Sequence, residues 1–326
     1  MTDPISNVGH RFKMKKRFRI VFMGTPSFSV PALKALNRVG CDIPMVVTQP
    51  DRPRGRGRKT APSAVKAAAK YFGYRVIQPA SLNTANFLDQ ISSLKPDFLI
   101  VVAFGRILSE DLLALPHIAP INVHASLLPK LRGPAPIQWA IINSEKKTGV
   151  CTMLMAKGMD TGDILLTSEE PIKADDTAGT LHDRLAEKGA ALLIETLEAF
   201  ADGSIQPVPQ DHNLATYAPM LSKEDGLINW NKPAASLEYF IRGVTPWPGA
   251  YTFFGEKRLK IFRSSPIERT SAEPPGTVLK GFPDELLVST AEGILSIEEI
   301  QSASGKRLLI HDFLRGFDIP PGIVLG

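Results

Sequence analysis

The apolar run "HIAPINV" closes on Asn122 and His124 and then breaks into the proline-bounded stretch "ASLLPKLRGPAPIQ". An amide and an imidazole two residues apart point to the same face of a strand, because strand side chains alternate with period two. In a strand buried on both faces, such groups need hydrogen-bond partners of their own or a reaction to serve. A third group bears on the choice: "GMDTGD" places Asp160 and Asp163 in a tight turn between two further strand-like runs. A carboxylate brought beside His124 would fix the tautomer of the ring and raise its pKa. Amide, imidazole and carboxylate would suit hydrolysis if a nucleophile stood with them. No GxSxG elbow occurs and neither cysteine is adjacent, while Ser126 lacks the strained strand-to-helix turn of a nucleophile. The set fits better a reaction whose substrates bring both nucleophile and acyl group, leaving the protein to position them, stabilise an oxyanion and move a proton. Acyl transfer is such a reaction; a purely structural hydrogen-bonded pair at Asn122 and His124 stays open on spacing alone.

The second outlier is "TQPDRPRGRGRKT", in which Arg52, Arg54, Arg56, Arg58 and Lys59 alternate with Gly and Pro. Such a backbone is flexible, cationic and poor at packing, which suits phosphate contacts, although a solvated charged loop has the same composition. The net charge of +5 adds no general basic coat, since Lys13, Lys15, Lys16, Arg17 and Arg19 supply much of it. One further local cluster is Lys257, Arg258, Lys260 and Arg263. Arg258 and Lys260 alternate with Leu259 and Ile261, so they should share the outer face of a strand.

The elements that must position these groups follow a repeating order. "FRIVFMG" reads as a strand and "TPSFSVPALKALNRVG" as a turn and helix, and the alternation recurs through "DIPMVVTQ", "YRVIQPA", "PDFLIVVAFG" and "APINVHA". Alternating strands and helices predict an α/β, Rossmann-like, mainly parallel sheet covered on both faces. Ligands bind outside the carboxyl ends of such strands, which is where Asn122, His124 and the Arg-Gly stretch fall. "GVCTMLMA" and "GDILLTSEEPI" read as strands flanking the Asp160 turn, and residues 177–200 as a long amphipathic helix. Beyond a polar, proline-bearing segment, the chain offers a helix at "PAASLEYFIRGV" and short strand-like runs with frequent turns, which predict a small antiparallel, OB-like β-barrel. The expected division is a disordered extension at 1–16, a catalytic domain at 17–202, a linker at 203–214 and a barrel at 215–326. Met14 reads as a more natural start than Met1, and no apolar core that would make the opening a signal peptide follows its charges.

At 326 residues the chain is long enough for two domains, and no apolar run approaches the ~20 residues of a membrane span. The two cysteines, Cys41 and Cys151, have no metal-ligand spacing, so a metal is not expected and a reducing cytoplasm fits. The first strand-to-helix turn, "MGTPSFS", lacks both GxGxxG and GxxxxGK[ST], which argues against dinucleotide and P-loop sites.

"NVHASLLPKLRGPAPIQWAI" together with "GMDTGDIL" resembles the folate-dependent formyltransferases, whose signature is Asn-x-His, then SLLP, then a basic-Gly turn, with a distant Asp. "FMGTPSFSVPAL", "TQPDRPRGRGRK" and "INWNKPAASLEYFIRGVTPWPGAYT" extend the likeness from Arg19 to about Gly316 and are similar to the branch of the family that acts on tRNA. The resemblance implies a catalytic trio of Asn122, His124 and Asp160 and a folate-contacting segment of Ser126, Leu127, Leu128 and Pro129. It places the acceptor-stem contacts at 51–59, with Arg56 at the family's key arginine. It further implies 10-formyltetrahydrofolate as cosubstrate, initiator methionyl-tRNA as acceptor, no metal, and a cytoplasmic monomer. The basic strand residues Lys257, Arg258 and Lys260 are then candidate tRNA contacts, and Lys130 and Arg132 candidate substrate contacts. One departure is local: the family's pair of small residues after the basic-Gly turn is Pro134-Ala135 here. The alternatives are a sugar-amine or nucleotide formyltransferase using the same donor, and a non-catalytic tRNA-binding protein.

Overall fold

The computed structural model describes residues 16–54 and 59–326. The expected extension therefore lies almost wholly outside the described residues, as do Arg56 and Arg58. The chain divides into two compact units. One runs to Pro134 and includes Gly149–Glu170 and Asp183–Tyr217; the other holds Ala135–Thr148, Pro171–His182 and Ala218–Gly326.

The first unit is built on β1 (Arg19–Gly24), β2 (Asp42–Val47), a ribbon of β3 (Arg52–Arg54) and β4 (Lys59–Ala61), β5 (Val76–Ile77), β6 (Phe98–Val102), β7 (Ala119–His124), β8 (Lys147–Leu154) and β9 (Ile164–Pro171). Its sheet has the order β5-β2-β1-β6-β7-β8-β9. The run from β5 to β7 is parallel, as the unbroken apolar runs predict, and β8 joins β7 antiparallel. The sheet is thus mixed and mostly parallel. Helices α1 (Val30–Arg38), α2 (Ala64–Tyr71), α3 (Ala85–Ser93) and α4 (Glu110–Leu113) fill the crossovers. Serine or threonine side chains cap three of them, with Ser63, Thr84 and Ser109 each accepting a backbone N–H of the first turn. Strand order reverses between β1 and β6, so the crevice at their carboxyl ends is the switch point at which open α/β sheets take ligands.

Two segments differ from the sequence reading. The flanks of the Arg-Gly stretch pair as a β-ribbon, Arg52 opposite Ala61 and Arg54 opposite Lys59, so the loop extends from a structured stem. Residues 203–214, expected as a linker, fall in the first unit: Val208 exchanges backbone hydrogen bonds with Ile164 at 2.8 and 2.9 Å, and Gln210 is buried. Most of the segment is exposed, as its polar composition predicts; Gln210 is the buried exception, because its amide has internal partners.

In the second unit, α5 (Pro136–Ile142) packs on α7 (Ala234–Gly243), where the absence of a side chain at Gly243 admits Ile142. The helix α6 (Ala178–Asp202) contributes to both units. Six strands follow: β10 (Ala250–Phe254), β11 (Lys257–Ile267), β12 (Val278–Leu279), β13 (Leu286–Ser289), β14 (Ile294–Ser302) and β15 (Leu308–Leu309). They pair antiparallel in the order β10-β11-β14-β13-β12, with β15 on β14, as the small antiparallel barrel expected, here a half-barrel. Leu259, Ile261, Leu286, Val288, Leu295, Ile297 and Ile300 form its core with Trp230, Leu237 and Ile241. Among the described residues no helix is long and apolar enough to cross a membrane.

Candidate active site

β7 ends between β6 and β8, with Asn122 level with Val101 and Met153, and His124 level with Cys151. The alternation holds. Val123 faces the opposite way, towards Gly189 of α6, where a side chain would come within 2.9 Å of the Val123 methyl. Asn122 and His124 therefore project together from the other face, as the two-residue spacing predicts.

His124 is only 6% exposed. Its Nε2 donates to the Leu131 carbonyl at 3.0 Å, since a carbonyl can only accept. That leaves Nδ1 facing Asp160 Oδ2 at 3.6 Å, within ion-pair range though beyond a hydrogen bond. With both ring nitrogens turned to oxygen, Nδ1 can donate as well only in the imidazolium form. Asp160 Oδ2 also accepts the Gly133 N–H at 2.8 Å, and Asp160 Oδ1 lies 3.4 Å from the Asn122 amide nitrogen. The trio expected from sequence is thus assembled around one carboxylate. Asp163 accepts the Leu154 N–H through its backbone carbonyl, 2.9 Å away.

The turn carrying Asp160 is held in an unusual conformation. Asp160 lies in the left-handed region at φ 52°, and two residues later a side chain on Gly162 would come 1.9 Å from the Leu154 carbonyl, so only glycine fits. The facing turn has Leu131 at φ 57° and Gly133 at φ 113°. Gln210 joins the two turns. Its Nε2 donates to the carbonyls of Asp160 at 2.9 Å and Gly162 at 2.6 Å, and its Oε1 accepts from Arg132 Nε at 3.1 Å and Nη2 at 2.6 Å.

The residues expected to wall the donor divide by exposure. Ser126 is fully buried and its hydroxyl donates to the Lys130 carbonyl at 2.7 Å, which closes the turn on itself. Leu128 is buried against Cys151 and Met153, with Ile164 beside them. Leu127 and Pro129 are half-buried and Lys130 is exposed. Arg132, read from sequence as a candidate substrate contact, is 2% exposed and spent on Gln210 and on His212 Nδ1 at 2.9 Å, so it is internal. Burial pushes the Cys151 thiol up to about 12, which removes it as a nucleophile near neutral pH.

Sequence reasoning passed over the crevice at the ends of β1, β2 and β6. There Gln49 Nε2 donates to the carbonyls of Phe104 at 2.7 Å and Gly105 at 3.2 Å, and the Thr25 hydroxyl donates to Phe104 at 3.2 Å. These bonds fix a loop that presents Ile107 with 83% of its surface exposed. The apolar "FGRIL" straight after the fully buried β6 was the available signal. The ribbon roots beside this crevice: Asp51 accepts from Lys66 at 2.5 Å and Gln78 at 2.7 Å, and these bonds hold its carboxyl below the usual range. Arg52 donates to Gln49 at 2.8 Å. Among the described residues, no cluster of three or more His, Cys, Asp or Glu could hold a metal ion.

In the half-barrel, Arg258 and Lys260 lie on the face opposite the buried Leu259 and Ile261. Arg258 stacks 3.6 Å from the ring centroid of Tyr251, Lys257 lies 5.2 Å from that of Phe317, and Arg263 pairs with Glu298 at 2.5 Å. The basic cluster is partly engaged within the unit.

Residues 17–197 match the Formyl transferase family and residues 220–318 the Formyl transferase C-terminal domain. The chain is 51% identical over 308 residues to the methionyl-tRNA formyltransferase of Caldanaerobacter subterraneus subsp. tengcongensis, covering 94% of this chain and 99% of that relative. It is 49% identical to the corresponding protein of Desulforamulus reducens over 94% of this chain and 98% of the relative. The chain belongs to the methionyl-tRNA formyltransferase family. Within that family's fold, Asn122 and His124 lie at the end of β7 and Asp160 in the turn between β8 and β9, and the half-barrel falls in the matched C-terminal domain. A more distant likeness, which bears on fold alone, is the N-formyltransferase of Helicobacter canadensis solved with folinic acid and dTDP-3-aminofucose. Its TM-score is 0.65 at 18% identity, over 90% of this chain and all of that one. HypX of Aquifex aeolicus, solved with tetrahydrofolic acid, matches with a TM-score of 0.61 at 17% identity, over 92% of this formyltransferase and 47% of HypX.

Proposed function

We propose that the protein transfers the formyl group of 10-formyltetrahydrofolate to the α-amine of methionine esterified to initiator tRNA. The observation that carries the reading is the convergence of Asn122 and His124, at the end of β7, with Asp160, beside a Cys151 thiol that burial pushes up to about 12. An α-amine has a pKa of about 7.7 to 8.0, so a useful fraction is neutral near pH 7 and can attack without a strong base. The amine nitrogen adds to the formyl carbon, giving a tetrahedral oxyanion; the bond from that carbon to the donor nitrogen then breaks, and the proton lost by the amine ends on the donor nitrogen. His124 as imidazolium and the Asn122 amide stabilise the oxyanion between these steps; one such donor is worth about 2.7 to 4 kcal/mol. To do so, His124 exchanges its Leu131 carbonyl contact for the reacting oxygen. Asp160 orients the ring and relays the amine's proton through water.

For the donor we assign the crevice beside Ile107 and the exposed parts of Leu127 and Pro129. Apolar surface at a sheet's switch point supports that placement. Ser126 and Leu128 shape this wall from inside. For the acceptor we assign Arg52, Arg54, Arg56, Arg58 and Lys59, with Lys257, Arg258 and Lys260 as a second contact. A run of cationic residues alternating with Gly and Pro suits phosphates. The two cysteines are free and buried, which supports a reducing cytoplasm, and one chain supplies the whole trio, which supports action as a monomer. Transfer of labelled formyl from the folate donor to methionyl-tRNA, measured beside a free sugar amine, tests the reading. Label on the sugar amine and none on the tRNA would redirect it to the small-substrate branch, and no transfer to either would leave a tRNA-binding protein.

A further inference from the structure

We infer that Gln210 is a positioning residue for the reaction, acting with Arg132 to hold the Asp160 carboxylate against His124. The inference rests on the reading of these groups as the site. Gln210 is 7% exposed, and all four of its hydrogen-bonding positions are used. Both amide protons go to the Asp160 turn, at the carbonyls of Asp160 and Gly162, and both lone pairs of the oxygen go to Arg132 on the facing turn.

Each turn needs such an anchor. Asp160 and Leu131 both sit at positive φ, where a residue with a side chain stays only when its surroundings over-determine it. The facing turn is fixed from a second direction by Thr216, whose hydroxyl accepts the Leu131 N–H at 2.9 Å and whose carbonyl accepts the Arg132 N–H at 2.9 Å. Between these anchors lie the contacts that matter for the chemistry: the Leu131 carbonyl on His124 Nε2, and the Gly133 N–H and His124 Nδ1 on Asp160. Releasing Gln210 frees the backbone of Asp160 itself, while His124 and Asn122 stay in place on β7. The loss therefore falls on the placement of the carboxylate.

The test uses Gln210→Glu in the full chain. The variant keeps the size of the side chain and still accepts from Arg132, but it turns a carboxylate oxygen onto two carbonyls. Two readouts are expected to move together. Single-turnover formylation falls at least 10-fold while methionyl-tRNA affinity at matched salt changes less than 2-fold. The pH titration of the His124 ring, followed by NMR, shifts towards that of Asp160→Ala. In an Asp160→Ala background, Gln210→Ala slows transfer by less than a further 2-fold, because it acts through a group already gone. Should Gln210→Glu not fold, Gln210→Asn, too short to span both turns, replaces it. A folded variant with an unchanged His124 titration overturns the inference, as does a loss that simply adds to that of Asp160→Ala. A shifted titration in a protein whose wild type transfers no formyl group retains the clamp and removes the functional reading instead.

Discussion

Asp160→Asn isolates the charge at the centre of the site. The asparagine can keep its oxygen on the Gly133 N–H, replacing the 2.8 Å bond, and then turns its NH2 towards the Asn122 amide nitrogen, 3.4 Å away in the native site. The backbone bonds of the turn survive, so the melting temperature should hardly change. What is lost, besides the acceptor for the Asn122 amide, is a negative charge 3.6 Å from His124 Nδ1, with side-chain exposures of 16% and 7% for the pair. At an effective dielectric of about 20, two unit charges at that separation interact by roughly 4.6 kcal/mol. If a little over half of this is expressed as the ring stabilises the oxyanion, the barrier rises by about 2.7 kcal/mol, or ~100-fold in rate. His124→Ala removes the donor itself and should cost at least as much. Single-turnover formylation with saturating donor and tRNA, beside a direct tRNA-binding measurement, separates chemistry from binding. Rates within about fivefold of wild type for both variants, with binding intact, would refute the assigned roles.

Arg56→Ala should weaken use of methionyl-tRNA and lower the slope of log affinity against log salt by about one, because one phosphate contact no longer releases counterions; an unchanged slope sinks the assignment of the Arg-Gly stretch. Alkylation with iodoacetamide at pH 8 should leave Cys151 unmodified in the native protein, since the thiol is fully buried and pushed up to about 12. Cys151→Ala should also retain formyl transfer within about threefold, and its abolition would return a protein nucleophile to the mechanism. Glu170 carries the pH dependence: burial raises its carboxyl, but hydrogen bonds from Arg184 at 3.0 Å and Lys188 at 3.1 Å outweigh that and hold it below the ordinary 4.5. A group depressed in the folded state stabilises above its ordinary value and loses that contribution as pH falls through the lowered one. Urea midpoints should therefore show Glu170→Gln less stable than wild type at pH 7 and the gap narrowing as pH falls below 4.5, whereas a gap that stays constant into acid would refute the ion-pair account.

The parallel strands were legible because burial on both faces leaves no room for alternation: "FLIVV" is apolar at every position and buried at every position. Asn122 and His124 stood out for the same reason, as polar exceptions at the end of such a run. Arg132 and Gln210 were illegible on the same logic. An arginine in a Gly-Pro turn and a glutamine among prolines both look solvated, and each is buried only because the other, far along the chain, satisfies it. Half of such a pair carries no local signal. The Asp160 turn is intermediate: Gly162 marks a close approach, but nothing local marks Asp160 as left-handed, and its carbonyl is met by the distant Gln210 amide. It follows that Asn122 and His124, the strand groups assigned to the reaction, were readable from strand periodicity, while the pair proposed to aim Asp160 had to wait for the fold. The aiming groups are also where this site is most exposed to substitution, because a glutamine whose four hydrogen-bonding positions are all used has no conservative replacement.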